Sequence, residues 1–221
     1  MKSHKSEIII PVGNVELEAT LTVPDKANSI VIFSHGSGSS RFSPRNNFVA
    51  AVLNDHGMAT LLTDLLTEKE DEVYATRFNI ELLTKRLIGV TNFVFHDREL
   101  GQMNVGYFGA STGAASALMA AAELGDRIGA VVSRGGRPDL AKARLGEVKA
   151  PTLLIVGSWD IPVIELNRRA FALLASKKEL TIVAGASHLF EEKGKLEEVS
   201  RLASKWFGEH LIPKHVYSLN H

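Results

Sequence analysis

The sequence predicts an α/β protein: a mostly parallel, twisted sheet, doubly wound, with helices on both faces and an antiparallel hairpin at its N-terminal edge. Three observations lead there. Short apolar runs alternate with longer segments of helical period, the pattern of parallel strands joined by crossover helices. The first two β-type runs are joined by Gly13-Asn14, a two-residue hairpin signal. No composition step, internal repeat, low-complexity tract or Pro/Ser-rich linker divides the chain, so its 221 residues are expected to form one domain over 1–221.

The elements follow in order. Glu7 to Val12 and Val15 to Val23 form the hairpin, ended by Pro24-Asp25. The buried parallel strands are expected at Ser29–Ser34, Ala59–Leu65, Asn104–Phe108, Gly129–Ser133, Thr152–Val156 and Leu180–Val183. Between them, Asn46–His56 carries Phe48, Val49, Val52 and Leu53 on one side and stops at Gly57. Tyr74–Phe95 reads as one long helix with Phe78, Leu82, Leu83, Leu87, Val90 and Val94 at helical spacing. Thr112–Leu124 is rich in small residues, and Ile164–Ala175 and Lys195–Gly208 complete the set.

Composition excludes several classes of function. With no cysteine there is no disulfide framework, thiolate zinc site or cysteine nucleophile, which fits a reducing compartment. Lys+Arg and Asp+Glu both number 25, so no basic footprint for nucleic acid or an anionic membrane is expected. Neither a signal-peptide core nor a run of about 20 apolar residues is present, and a soluble cytoplasmic protein is expected.

In open α/β sheets, ligands bind beyond the carboxyl ends of the strands, so the residues just past each strand carry the chemistry. After Asn104–Phe108 comes Gly109-Ala110-Ser111-Thr112-Gly113, a G-x-S-x-G between a buried strand and an alanine-rich helix, the setting of a nucleophile elbow. A serine nucleophile needs a base, and the base an orienting carboxylate. Asp160 and His188 each lie just past a later strand, in the order Ser, Asp, His that this elbow accompanies. Ser111, Asp160 and His188 are therefore the expected triad. The other histidines fit less well: His4, His56, His210, His215 and His221 lie in tails, at a helix end or near the terminus, and His96 follows a helix.

His35-Gly36-Ser37-Gly38-Ser39 follows the strand Ser29–Ser34, where the second oxyanion donor belongs. The backbone N–H groups of Thr112 and Ser37 are the expected pair, with Gly38 an alternative to Ser37. The segment lacks the third glycine of a dinucleotide loop and the G-K-[ST] ending of a P-loop. Arg134-Gly-Gly-Arg137 follows another strand end. Arg137 or Arg134 is placed to meet a substrate carboxylate, the plainer alternative being a turn with solvated arginines; Arg41 and Arg45 carry the same two readings. Trp159, Phe42 and Leu189 are candidates for an apolar wall.

These motifs, with Ser133-Arg-Gly-Gly-Arg-Pro138, Gly157-Ser-Trp-Asp160 and Ala186-Ser-His-Leu-Phe190, resemble the α/β-hydrolase fold and within it the dienelactone-hydrolase-like group, over roughly residues 8 to 208. The founding dienelactone hydrolases have a cysteine nucleophile where this sequence has Ser111. The resemblance thus implies ester hydrolysis in general and leaves dienelactone as a substrate open. Some related serine-bearing proteins are attached to phosphoribosyltransferase domains, which these residues do not include.

The resulting expectation is a serine hydrolase of small carboxylic esters, thioesters or lactones, with no metal and no organic cofactor. Its partner is a small-molecule ester, not nucleic acid or a membrane, and the sequence leaves the oligomeric state open. A binding or sensor protein on the same fold, and an acyltransferase using the same triad, are the alternatives. Only 17 residues, Gly135 to Pro151, connect the strand after the nucleophile helix to the next one. That is too little chain for a lid domain, so a shallow pocket walled near Ser37, Arg137, Trp159 and Leu189 is expected.

Overall fold

Eight strands form one sheet in the order β1-β2-β4-β3-β5-β6-β7-β8 in a computed structural model that describes residues 2–211. His215 and His221 lie outside the described residues. The strands are β1 (Ser3–Val12), β2 (Val15–Pro24), β3 (Ser29–Ser34), β4 (Ala59–Thr63), β5 (Asn104–Ala110), β6 (Ile128–Arg134), β7 (Thr152–Gly157) and β8 (Lys178–Val183). β1 and β2 are an antiparallel hairpin closed at Val12↔Val15, with Gly13 at φ +62 supplying the left-handed turn residue. β2 joins the rest through antiparallel pairing with β4, and from β4 to β8 every pairing is parallel.

β3, β4 and β7 are buried along their whole length, as strands covered on both faces must be. Alternate residues supply the two cores. Ile30, Ile32 and Tyr107 face one, packed by helices α3 (Ile80–His96), α4 (Thr112–Leu124) and α5 (Ile161–Leu173) with Leu87, Leu118 and Ala170. Val31, Phe33 and Phe108 face the other, packed by α1 (Pro44–Asp55) and α6 (Lys195–His210) with Leu53, Val199 and Phe207. β3 lies between β4 and β5, so the chain winds away from it in both directions. The topological switch falls between the carboxyl ends of β3 and β5.

The expected helix over Tyr74–Phe95 is divided. A 3₁₀ turn (Tyr74–Phe78) ends at Asn79, whose non-helical backbone and side chain, accepting from the Leu82 N–H at 3.0 Å, start α3 afresh. A short helix α2 (Glu68–Glu72), too charged to show apolar periodicity, precedes it and is opened by a Thr67/Glu70 capping box. Glu70 also accepts from Arg86 Nη2 at 2.7 Å. Burial disfavours its charge, but the capping bond and Arg86 outweigh that and lower its pKa. The β6–β7 connection holds only a 3₁₀ segment, Pro138–Glu147, and no lid domain. Among the described residues no helix is long and apolar enough to cross a membrane.

Within the first core the buried Tyr107 hydroxyl meets Thr91 Oγ1 at 2.6 Å, and Thr91 Oγ1 also bonds the Leu87 carbonyl at 2.7 Å. The two partners are not equivalent. Tyr107→Phe leaves Thr91 bonded to Leu87 and should cost about 1 kcal/mol. Thr91→Val strands a buried phenol and should cost about 1–3 kcal/mol more. Urea unfolding of both variants checks the order; equal losses would contradict it.

Candidate active site

Ser111 stands between β5 and α4 at φ 51, ψ −123, a backbone conformation unfavourable for any residue with a Cβ. Neighbouring strands hold it there. Its N–H donates to the Arg134 carbonyl at 3.2 Å, and its own carbonyl accepts from Arg137 N–H at 3.0 Å and Ala114 N–H at 3.1 Å. The flanking glycines permit the tight passage. A Cβ on Gly109 would lie 2.5 Å from Ala114 Cα, and one on Gly113 would lie 2.1 Å from the Ser34 carbonyl oxygen. Gly36 allows a similar approach from the loop after β3, where an added Cβ would be 3.0 Å from Ser111 Cβ.

Asp160 ends the turn after β7 and His188 lies in the loop after β8. His188 Nδ1 bonds Asp160 Oδ2 at 2.6 Å. This bond directs the other ring nitrogen, Nε2, away from the carboxylate. The two loops are tied together by Trp159 N–H to the Ala186 carbonyl (3.0 Å) and Gly185 N–H to Ser158 Oγ (2.8 Å). Gly157 permits this, since a Cβ there would be 2.4 Å from the Ala186 carbonyl oxygen. Phe190, at φ +57 and 1% exposed, anchors the far side of the His188 loop in the second core. Gly135, at φ +51, leaves space beside the His188 ring.

Ser111 and His188 line one cavity of about 180 Å³, together with Ser37, Ser43, Arg45, Asn46, Arg134 and Leu189. That is smaller than the usual range for ligand pockets, about 300–1,000 Å³. Thr112 opens α4, so its N–H has no acceptor within the helix and lies at the positive end of the dipole. The Ser37 N–H donates to Thr112 Oγ1 at 2.9 Å. His35 braces this loop: its Nε2 accepts from the Leu65 N–H at 3.2 Å, which leaves Nδ1 to donate to the Gly36 carbonyl at 2.9 Å.

The remaining candidates separate. Leu189 lines the cavity, whereas Gly38 belongs to an adjacent crevice beside Arg77. Trp159 is 64% exposed, beside Gly185, and Phe42 is equally exposed under the Arg41 guanidinium. Neither is among the residues that wall the cavity. Arg137 gives its guanidinium to Asp139 in a bidentate pair at 2.8 and 2.9 Å, and Arg41 is held by Asp64 and Glu18. Arg134, by contrast, is 6% exposed and lines the cavity. Burial, and then the like charge of Arg45, pull its pKa down to about 10. Its burial, and the bracing roles of Gly135, Gly157 and Phe190, have no local sequence signal beyond a glycine at a strand end.

No protein-family model matches the chain. A crystal structure of a dienelactone hydrolase from Anabaena variabilis superposes with a TM-score of 0.94 at 51% identity, covering 96% of this chain and 100% of that one. Est1E from Butyrivibrio proteoclasticus shares the fold, with a TM-score of 0.80 at 16% identity over 92% of this chain and 98% of its own. Among curated proteins, a Mycobacterium tuberculosis protein named "Putative phosphoribosyl transferase" is 55% identical over 205 residues, 93% of this chain. The match spans 46% of that relative, so this chain is about half its length.

The packing of Gly113 gives a direct test of the elbow. Gly113→Ala would place a Cβ 2.1 Å from the Ser34 oxygen and 2.5 Å from the His35 oxygen, both backbone atoms of a buried strand end. The expected loss is about 3 kcal/mol or more, with α4 displaced from β3. Gly125→Ala is no control because φ there is +57, but Gly146→Ala, whose Cβ would meet nothing closer than 3.8 Å, should leave stability nearly unchanged. Thermal unfolding of the two variants separates them.

Proposed function

This chain belongs to the dienelactone-hydrolase-like α/β-hydrolases, and we propose that it cleaves small carboxylic esters, thioesters or lactones with Ser111 as nucleophile, His188 as base and Asp160 as its orienting acid. The observation that carries this reading is the shared cavity. It joins a serine held in a strained conformation to a histidine whose Nδ1 is fixed by a carboxylate at 2.6 Å. A protein that only bound its ligand would have no use for that strain, which costs of order 1–3 kcal/mol.

In the proposed reaction the Ser111 hydroxyl closes on His188 Nε2, gives up its proton there, and Oγ attacks the substrate carbonyl carbon. Asp160 keeps Nδ1 protonated and stabilises the imidazolium. The carbonyl oxygen becomes an oxyanion facing the Thr112 N–H, with the Ser37 N–H shared between Thr112 Oγ1 and the developing charge. Each such donor is worth about 3 kcal/mol. Collapse of the tetrahedral species expels the alcohol or thiol with the proton from His188. Water, activated by the same base, then releases the acid and restores Ser111. The phosphoribosyl transferase name belongs to relatives of which this chain matches 46%.

Ser111→Ala should abolish both ester hydrolysis and labelling by a fluorophosphonate, with the thermal midpoint kept within a few degrees. Labelling that persists would identify another nucleophile. Asp160→Asn should lower kcat by about 10⁴-fold by favouring the wrong histidine tautomer, and His188→Ala should remove the ascending limb of rate against pH with nearly all activity. A near-normal rate in Asp160→Asn would mean that a different acid orients His188.

A cavity of about 180 Å³ without a lid has little apolar surface for a long acyl chain, at about 0.8 kcal/mol per buried methylene. Across 4-nitrophenyl esters from acetate to palmitate, kcat/KM should be highest at short chains. There should be no jump in rate when the substrate forms micelles. A maximum at long chains would overturn the open, lidless pocket.

A further inference from the structure

Asn167 occupies a position that an apolar residue would ordinarily fill. The buried residues of α5 are Asn167 and Ala170, nearly one turn apart on the face that packs the first core. Asn167 is 0% exposed, and among the described residues its Oδ1 has no hydrogen-bond partner. A buried amide with its oxygen unbonded is costly where a leucine would pack without that loss. Its nitrogen, by contrast, is fully used. Nδ2 donates to the Val163 carbonyl of its own helix at 2.8 Å and to the Gly136 carbonyl, in the loop after β6, at 3.0 Å. Both neighbours are carbonyl oxygens, which only accept, so the orientation of the amide is fixed.

The Gly136 carbonyl belongs to the same planar peptide group as the Arg137 N–H, and that N–H donates to the Ser111 carbonyl at 3.0 Å. One rigid group is thus gripped at both ends, by Asn167 and by the strained serine. Its bonds run in one direction, from Nδ2 of Asn167 through the peptide to Ser111, so each polarises the next. The segment needs the grip. Two successive glycines are the most freely jointed pair in a chain, and no side chain can stiffen Gly136. A Cβ there would lie 2.0 Å from Ser133 Oγ and 2.6 Å from Ala114 Cβ. Gly135 N–H to the Ile155 carbonyl, at 2.8 Å, fixes the sheet side of the pair, and Asn167 fixes the other. α5 itself begins directly after Asp160, whose carbonyl accepts from Ile164 N–H at 2.9 Å, and Asn167 lies about two turns further on.

We propose that Asn167 is a positioning residue of the hydrolase. Acting through the Gly136–Arg137 peptide, it holds Ser111 in its strained backbone conformation and ties that conformation to the helix that starts at Asp160. The proposal rests on the hydrolase reading of Ser111 and adds a buried side chain, outside the cavity wall, on which the reactivity of the serine depends.

Asn167→Leu keeps the volume and removes both donors. The rate of Ser111 labelling by a fluorophosphonate and kcat on 4-nitrophenyl acetate should both fall by about 10²-fold, with KM changed by less than about threefold. Labelling reads the serine without the contacts of an ester. Asn167→Ser, whose hydroxyl can reach the Val163 carbonyl within its own helix but not Gly136, should show the same loss, and it decides the matter if the leucine variant fails to fold. Ala170→Gly loosens the same face of α5 without touching the relay. It should lower the thermal midpoint and leave the labelling rate within about twofold of wild type.

Labelling slowed by less than about tenfold in the folded Asn167 variants overturns the positioning role and leaves the hydrolase reading intact. A rise in KM in place of the fall in kcat, or equal slowing in Ala170→Gly, overturns it too, since either would mean altered substrate contact or general loosening of α5. If the wild-type protein resists labelling, the hydrolase reading falls, and hydrogen exchange at the Arg137 amide decides the relay on its own. That amide should exchange at least about tenfold faster in the Asn167 variants than in wild type, and equal exchange would refute the relay.

Discussion

The approach of the first turn of α4 to the carboxyl end of β3 is the constraint on which the rest of the site depends. Backbone meets backbone there, since a single methyl group at Gly113 would fall 2.1 Å from the Ser34 oxygen. The contact is reinforced by a Ser34–Ser116 hydroxyl pair at 2.8 Å, with Ser116 donating in turn to the Gly113 carbonyl at 3.0 Å. Because β3 and β5 flank the topological switch, closing this gap brings the loop after β3 over the residue after β5. The Ser37 amide then reaches Thr112, and Gly36 reaches Ser111. A wider gap would leave the same residues present and the two proposed oxyanion donors apart.

The carboxylate and imidazole depend on a different device. β7 and β8 are adjacent and parallel, so their carboxyl ends emerge side by side, and Gly157 lets the two following loops touch through backbone. Asp160 and His188 are therefore related by main-chain bonds between the two loops and by the Gly185 N–H to Ser158 Oγ bond, not by their own side-chain contact alone. The 2.6 Å bond between them is the consequence of that arrangement. The Asp160 side chain is the more enclosed of the two, 13% exposed against 39% for His188.

What was legible in the sequence follows from which forces are local. Ser29–Ser34 and Thr112–Leu124 are found where the apolar run and the small-residue run begin and end, because burial on both faces leaves a continuous signature. Ser111, Asp160 and His188 could be nominated since the sheet places every strand end at one edge, and the structure brings Asp160 and His188 into contact and Ser111 and His188 to one cavity. The division at Asn79 was hidden because Phe78 continues the helical spacing while the backbone does not. The charged segment Glu68–Glu72 shows no periodicity, since its capping box and Arg86 hold it rather than an apolar face. Arg134 and Arg137 are indistinguishable by sequence. Only the fold decides that one meets Asp139 and the other is enclosed without a carboxylate.

Strain in this molecule is located where packing can hold it. Among the described residues, the non-glycine positions with positive φ are Lys26, Ser111 and Phe190. Lys26 belongs to the exposed turn after β2, where a left-handed residue is an ordinary turn feature. The other two flank the proposed reaction centre, one at Ser111 itself and one two residues past His188. Each is held by its surroundings: Ser111 by the bonds of its backbone to Arg134 and Arg137, and Phe190 by its own side chain, enclosed in the second core. The core thus does more than stabilise the sheet. It holds the serine in a strained conformation on the wall of a cavity that His188 and Arg134 also line.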